Sequence, residues 1–310
     1  MPIVYDPVNK NAASGTEQML RGLEARADSA LLQPFSIGRA IMLFDPNSHK
    51  VYWTHNIPPQ MGIREVSEQK ALHIDNRWKY VDNIVFVSDW QKQRYNEYFK
   101  FSEADQKRFT VLRNAITPIA PHTKPTDKIR LIYMSVPERG LAMLYDVFEK
   151  IAPKYNIELE VFSSYKIYGI PNADQVHRRV LDKVKAHPKI KYHGTVSNQQ
   201  IHQALQRAHI FAYPSTFLET SCMSLIEAMS AGCICVHPDL AALPETAAGY
   251  TNMYEFNKNR AIHAEVFQAA LEKAISQVGR DMSTQQSYVN NLYSWDTRIQ
   301  EWNTYLKGLL

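Results

Sequence analysis

From residue 129 onward, short apolar runs alternate with amphipathic stretches. IRLIYMS (129–135), IELEVFSS (157–164), IKYHG (190–194), HIFAYPS (209–215) and CICVHPD (233–239) are apolar runs of strand length. Between them, LAMLYDVFEKIAPKY (141–155), ADQVHRRVLDKVKAH (173–187), NQQIHQALQRA (198–208) and CMSLIEAMSAG (222–232) repeat their apolar residues at helical spacing. AEVFQAALEKAISQVGR (264–280) adds a helix after the last run. Strict strand–helix alternation with nearly continuous apolar strands predicts a parallel sheet covered by helices on both faces.

The first 128 residues are patterned less clearly. A loop ending at Ser14-Gly15-Thr16 precedes an amphipathic helix from about Glu17, with Thr16 as its N-cap. Residues 37–46 and 50–59 read as short buried strands followed by proline-containing loops. REVSEQKALHIDNRW (64–78) has a helical pattern, 83–90 is a buried strand that leads into a helix, and 109–118 is another strand. APHTKPTDK (120–128), with two prolines and no large apolar residue, is the linker candidate. SWDTRIQEWNTYLKGLL (294–310) places Trp295, Ile299, Trp302 and Leu306 on one helical stripe. No internal repeat or low-complexity segment is found. The expected organisation is a short N-terminal domain over 1–122, a second domain over 123–290, and a C-terminal helix over 291–310.

Composition narrows the classes. A length of 310 residues suits two domains, and 45% apolar with 21% charged residues excludes a disordered chain. No apolar run is long enough to span a bilayer, and the N-terminus lacks the basic-then-apolar pattern of a signal peptide. Three cysteines in one short stretch argue for a reducing compartment, so a cytoplasmic location is expected. A net charge of +4 falls short of a dedicated nucleic-acid binder but is compatible with an anionic ligand. Cys233-x-Cys235 with His237 offers zinc-ligand residue types. Alternation on a buried strand and the lack of a second cysteine pair favour a packed core. Asp45 and Asp89 form no D-x-D pair, so no metal site is expected.

The informative stretch is YPSTFLETSCMSLIEAMSAGCICVHPDLAALPET (213–246). A strand ends near Ser215, a loop carries Glu219 outward, and Thr220 or Ser221 caps a helix stopped by Gly232. The backbone N–H groups around Ser221–Ser224 then lie at the positive end of the helix dipole, a ready phosphate site. Glu227 lies one or two turns on. Eight fully helical residues would put the two carboxylates roughly 12 Å apart, too far for a retaining glycosidase pair. They suit the two ends of an extended polar ligand, because carboxylates accept from sugar hydroxyls.

Glu219 and Glu227 resemble the E-x7-E motif of retaining glycosyltransferases of the GT-B fold, the group 1 / GT4 family with bacterial and viral members. SLIEAMSAGCICV, LPE (243–245), IYMSVPERGLAMLYDVFEKI, YHGTVSNQQIHQAL and VLRNAI are similar to that family's other segments. The resemblance covers about 85–295 and implies two Rossmann-like parallel-sheet domains facing a cleft, with the C-terminal helix crossing back to the first. It implies that Glu219 contacts donor-sugar hydroxyls, Glu227 the ribose, and Arg139 the diphosphate, with Ser135 on the same loop, and that Thr220, Ser221, Cys222, Met223, Ser224 and Leu225 supply N–H groups to the phosphates. The loop Gly194, Thr195, Val196 would lie beside the base. His55 and the Gly15-Thr16 loop would line the donor and acceptor side. The implied reaction transfers a sugar from a UDP- or GDP-linked donor with retention, with no cofactor and no metal.

The sequence departs from that pattern in three places. The family's arginine position after the first strand is Ser135 or its neighbour, which leaves Arg139 as the clear cation. Thr220-Ser221-Cys222 replaces the usual Gly-Phe-Gly. The N-terminal half, where acceptors bind, is short. The missing second cation and the short N-terminal half motivate an alternative, a catalytically weak or inactive module that binds a nucleotide sugar or a partner. A third reading is a GT-B enzyme that hydrolyses or epimerises a sugar nucleotide. The acceptor classes left open are a glycan, a lipid-linked sugar, a small molecule or a modified nucleic-acid base. Peripheral membrane contact is compatible with the mixed charge of EQMLRGLEARA (17–27).

Overall fold

The computed structural model describes residues 2–5, 14–58 and 78–310. The chain divides into two compact units, one of Met1–Ala115 with Trp295–Leu310 and the other of Ile116–Ser294. The first division falls just ahead of the 120–128 stretch. The second falls at Trp295, so the last sixteen residues rejoin the first unit.

In the first unit the described strands are β1 (Ile3–Val4), β2 (Phe35–Gly38), β3 (His49–Trp53), β4 (Asn83–Phe86) and β5 (Phe109–Val111). They pair in parallel in that sequential order. Helices α1 (Gly15–Arg26), α2 (Ser29–Leu32), α3 (Asp89–Phe99) and α4 (Glu103–Gln106) connect them. Phe86, Tyr95, Phe101 and Phe109 pack at the core, largely edge to face.

Several expectations need correction here. The helix after the Gly15 loop begins at Gly15 rather than about Glu17, so Thr16 is its second residue and not its cap. Ser14 stands at the N-cap, and its carbonyl accepts from Gln18 N–H at 3.0 Å. The short buried strand read in 37–46 starts earlier and stops sooner, at Phe35–Gly38. β2 ends at Gly38, and a 3-10 turn over Ile41–Leu43 leaves Met42 and Leu43 mostly exposed. The 109–118 strand is cut to Phe109–Val111. All but the last residue of the helix expected over 64–78 lies outside the described residues.

The C-terminal helix Trp295–Lys307 buries Trp295, Arg298, Trp302 and Leu306, while Ile299 is half-buried. Trp302 meets Trp53 of β3 at 4.8 Å between ring centroids. Trp295 lies against Gly22 of α1, where an added Cβ would stand 2.0 Å from Trp295 Cζ2. Helix propensity alone favours alanine over glycine by about 1 kcal/mol. The contact reverses that sign: Gly22→Ala is expected to lower stability by about 1–3 kcal/mol in urea unfolding, and Trp295→Leu in the same chain to recover part of it. A Gly22→Ala variant more stable than the parent would refute this packing.

The second unit carries six parallel strands among the described residues: β6 (Ile129–Met134), β7 (Ile157–Phe162), β8 (Ile190–Tyr192), β9 (Ile210–Ala212), β10 (Ile234–Pro238) and β11 (Asn252–Tyr254). Their order is β11-β10-β9-β6-β7-β8. Helices α5 (Leu141–Ile151), α6 (Arg178–Ala186), α7 (Asn198–Arg207), α8 (Met223–Ser230), α9 (Leu243–Ala247), α10 (Arg260–Ser276) and α11 (Ser283–Tyr293) cover the sheet. α6 is shorter than 173–187, because Pro171–His177 forms 3-10 turns. α10 starts earlier than 264 because Asn259 Oδ1 caps the amides of Ala261 and Ile262. β11 and α11 have no counterpart in the sequence reading.

Among the described residues, the sequential order of the first sheet gives no point at which the chain reverses direction across it. The second sheet reverses at β6, which pairs β7 on one side and β9 on the other. In open parallel sheets, ligands bind beyond the carboxyl ends of the strands at such a point.

Candidate active site

Two loops meet beyond the ends of β6 and β9. After β6, Pro137–Arg139 makes a single 3-10 turn and Gly140, at φ +114°, redirects the chain into α5. The Tyr133 hydroxyl donates to Val136 O at 2.9 Å and pins the loop's start. The Gly140 backbone lies so close to the second loop that a Cβ would sit 2.2 Å from Pro214 O. Only glycine fits that approach and that backbone angle.

The second loop runs from Tyr213 to Cys222. Ser215 Oγ accepts from Phe217 N–H at 3.1 Å, Phe217 O accepts from Glu219 N–H at 3.0 Å, and Glu219 O accepts from Ala242 N–H at 3.1 Å. This winding turns the Glu219 side chain inward. It is buried, which corrects the expectation that the loop carries it outward. Glu219 Oε1 accepts from Arg139 Nη1 at 3.0 Å and from the Tyr213 hydroxyl at 2.5 Å. Arg139 Nη2 donates to the Tyr168 hydroxyl at 3.1 Å, and the Phe217 ring lies 4.0 Å from the guanidinium carbon. The buried Arg139 Nε–H has no partner among the described residues.

Electrostatics follow from this crowding. Burial alone, the largest single influence, would weaken the charge on Arg139, but Glu219 together with Tyr168, Tyr213 and Cys222 outweighs it and the guanidinium stays well above its ordinary range. Burial, reinforced by Glu219, pushes the Tyr213 phenol up, so it remains a protonated donor. The same two causes raise the Cys222 thiol, which makes it a poor nucleophile.

Tyr168 comes from a segment after β7 that is itself tied down. Asp174 accepts from Ser164 Oγ at 2.6 Å and from Tyr165 N–H at 2.7 Å, and the Tyr165 ring stacks on His177.

α8 follows Glu219 closely. Its N-cap is Cys222, with no side-chain cap, rather than Thr220 or Ser221. Leu225 and Ile226 N–H both donate to Cys222 O at 3.1 Å, so the amides of Met223 and Ser224 remain outside the helical ladder. Ser224 Oγ donates to Met134 O at 2.8 Å, fixing the first turn of α8 to the end of β6. Ser135, next along, is hydrogen-bonded to the Tyr133 phenol. Glu227 is further along α8, with Oε1 3.6 Å from Nε2 of His202 on α7.

Gly194 (φ +65°), Thr195 and Val196 form the loop after β8. Thr195 Oγ1 is buried without a partner among the described residues, and Val196 packs on the core. Gly15, Thr16 and His55 belong to the first unit. The His55 ring lies 4.9 Å from Trp53. Burial, with Arg39 adding to it, lowers His55 to about 3, so its imidazole is neutral at physiological pH. Arg39 also reaches Glu17, at 3.7 Å. The Cys233-x-Cys235-His237 run is core. Both thiols are buried and donate to backbone carbonyls, and His237 bonds Pro238 O and Thr251 Oγ1.

The structure thus brings Arg139, Glu219, Thr220 to Leu225, Ser135 and Glu227 to one end of one sheet. Tyr213, Tyr168, Phe217 and His202 were missed as site residues. Tyr213 sits in an apolar strand pattern, and nothing local in the sequence distinguishes a hydroxyl aimed at Glu219 from a ring filling the core. Among the described residues, no group of three or more His, Cys, Asp or Glu is placed to hold a metal ion, and no helix is long and apolar enough to cross a membrane.

Solved structures of similar fold exist. A glycosyltransferase from Rickettsia africae ESF-5 aligns with a TM-score of 0.64 at 16% identity, over 84% of this chain and 71% of that one. Sucrose-phosphate synthase from Thermosynechococcus elongatus gives 0.68 at 12% identity, over 85% and 68%. Anabaena HepE, in a complex with UDP-glucose, gives 0.65 at 14% identity, over 85% and 73%. No curated protein sequence matches the chain. Two parallel α/β units with these neighbours define a protein of the GT-B type. Residues 117–295, more than half of the chain, match the model of the glycosyl transferases group 1, and the chain belongs to that family.

Proposed function

We propose that the protein is a retaining, metal-independent glycosyltransferase of the GT4 kind that moves a sugar from a UDP- or GDP-linked donor to a hydroxyl acceptor. The observation that carries this reading is the convergence of Glu219, Arg139 and the open first turn of α8 at the β6/β9 reversal. Family membership and the UDP-glucose in the HepE structure support the same donor class. Amides of Met223 and Ser224 face the diphosphate, and Glu227 takes the ribose hydroxyls. Glu219 accepts from the donor sugar. Arg139 adds positive charge to the leaving group, exchanging the Tyr168 phenol for a phosphate oxygen, since charge-assisted bonds are the stronger. Fixed charge at the departing diphosphate supplies the main catalytic effect. His55, neutral, takes with Gly15 and Thr16 the donor- and acceptor-side role that the family resemblance implies, and the Gly194–Val196 loop contacts the base. The acceptor is a glycan, a lipid-linked sugar, a small molecule or a modified base, and the setting is cytoplasmic.

A second reading, a nucleotide-sugar-binding module with little turnover, is favoured by one observation. Arg139 is already engaged by Glu219 and Tyr168. The two carboxylates separate the readings. Glu227→Ala is expected to weaken UDP or GDP binding about 10–100-fold by titration calorimetry, whereas Glu219→Gln lowers consumption of a UDP- or GDP-hexose at least about 100-fold with nucleotide affinity kept. Tight nucleotide binding with no donor consumed by the parent protein selects the binding module. An inverted product anomer removes retention, and loss of turnover in EDTA removes metal independence.

A further inference from the structure

We infer that Tyr213 is a positioning residue for Glu219, holding its carboxylate through Oε1 so that one orientation meets the donor sugar. The inference rests on the proposed role of Glu219. The phenol is 1% exposed and donates to Oε1 at 2.5 Å, within the range of short hydrogen bonds to ionised carboxylates. Tyr213 itself has little freedom. Its N–H donates to Val236 O at 2.9 Å, and its ring lies against Phe211 and Tyr133 at 5.3 and 6.0 Å between centroids. The Glu219 backbone is held independently through Phe217 O and Ala242 N–H. Arg139 arrives at the same Oε1 from the other loop. The carboxylate is therefore clamped at one oxygen by two donors from two strand ends. A glutamate held by Arg139 alone would turn with that long side chain. The phenol ties it to the rigid end of β9.

Tyr213→Phe keeps the ring and removes the donor. Expected for the variant is a kcat about 10–50-fold lower on the UDP- or GDP-hexose that the parent consumes fastest. Its KM for that donor and its affinity for UDP or GDP should stay within about twofold, with Tm close to the parent's. A purely structural role would lower Tm and nucleotide affinity together, and that result overturns the inference. Parental kcat in Tyr213→Phe, alongside an inactive Glu219→Gln, overturns it while leaving the proposed function standing. Parental turnover in Glu219→Gln overturns both.

Discussion

Arg139→Ala is expected to remove turnover and to destabilise the protein by about 2–4 kcal/mol. The guanidinium and carboxylate are 20% and 8% exposed, so truncation leaves the Glu219 charge in a mostly desolvated place with Tyr213 as its remaining side-chain donor. Breaking one side of a buried pair costs more than the pair itself contributes, because the other charge has lost its compensation. The partial exposure of Arg139 sets the estimate below that of a fully buried pair. Arg139→Lys should recover part of the stability and little of the turnover. A lysine ammonium is a point charge that can meet Glu219, but it cannot also span to Tyr168 with a planar fork. Urea midpoints and donor consumption for the two variants check this. An alanine variant as stable as the parent would mean that the pair is solvated and the site more open than described.

Gly140→Ala carries the second large effect. The residue has φ +114°, and a Cβ would meet Pro214 O at 2.2 Å and Pro214 C at 2.8 Å, both backbone atoms that cannot rotate away. The expected loss is about 3 kcal/mol or more, combining backbone strain with displacement of a packed loop. The same shift would part the loops that bring Arg139 to Glu219, so turnover should fall with stability. Gly169 and Gly249 provide the comparison: both have positive φ, +76° and +81°, but nothing lies within 4 Å of an added Cβ. Their alanine variants should cost only about 1 kcal/mol, with turnover kept. If Gly140→Ala behaved like these two, the close approach of the two loops would be wrong.

Legibility differed between the two halves of the chain. From residue 129 on, apolar runs lie inside a parallel sheet, so each strand announces itself by composition and each helix by its apolar stripe. β6 to β10 fall where the pattern puts them. β11, Asn252–Tyr254, does not stand out because an edge strand of three residues needs no apolar run. The run 37–46 misleads for the opposite reason. Ile41, Met42 and Leu43 extend the apolar pattern of β2 without belonging to it, because a local 3-10 turn, closed by Leu43 N–H to Ala40 O and Phe44 N–H to Ile41 O, takes them out of the sheet. Arg298 breaks the expected stripe of the C-terminal helix, since it is buried where Ile299 was expected.

By itself the sequence determined the alternation that makes parallel sheets, the Glu219-to-Glu227 spacing around a helix start, and the family to which the chain belongs. All of these are local or nearly so, and periodicity and short motifs record them. Tertiary structure alone decided that Arg139 meets Glu219 across 80 positions of chain, that Tyr213 and Tyr168 complete their bonds, and that Cys222 rather than Thr220 or Ser221 opens α8. Those outcomes depend on where two loops land once β6 and β9 pair, and a side chain's residue type says which bonds it can make but not which neighbour the fold brings to it.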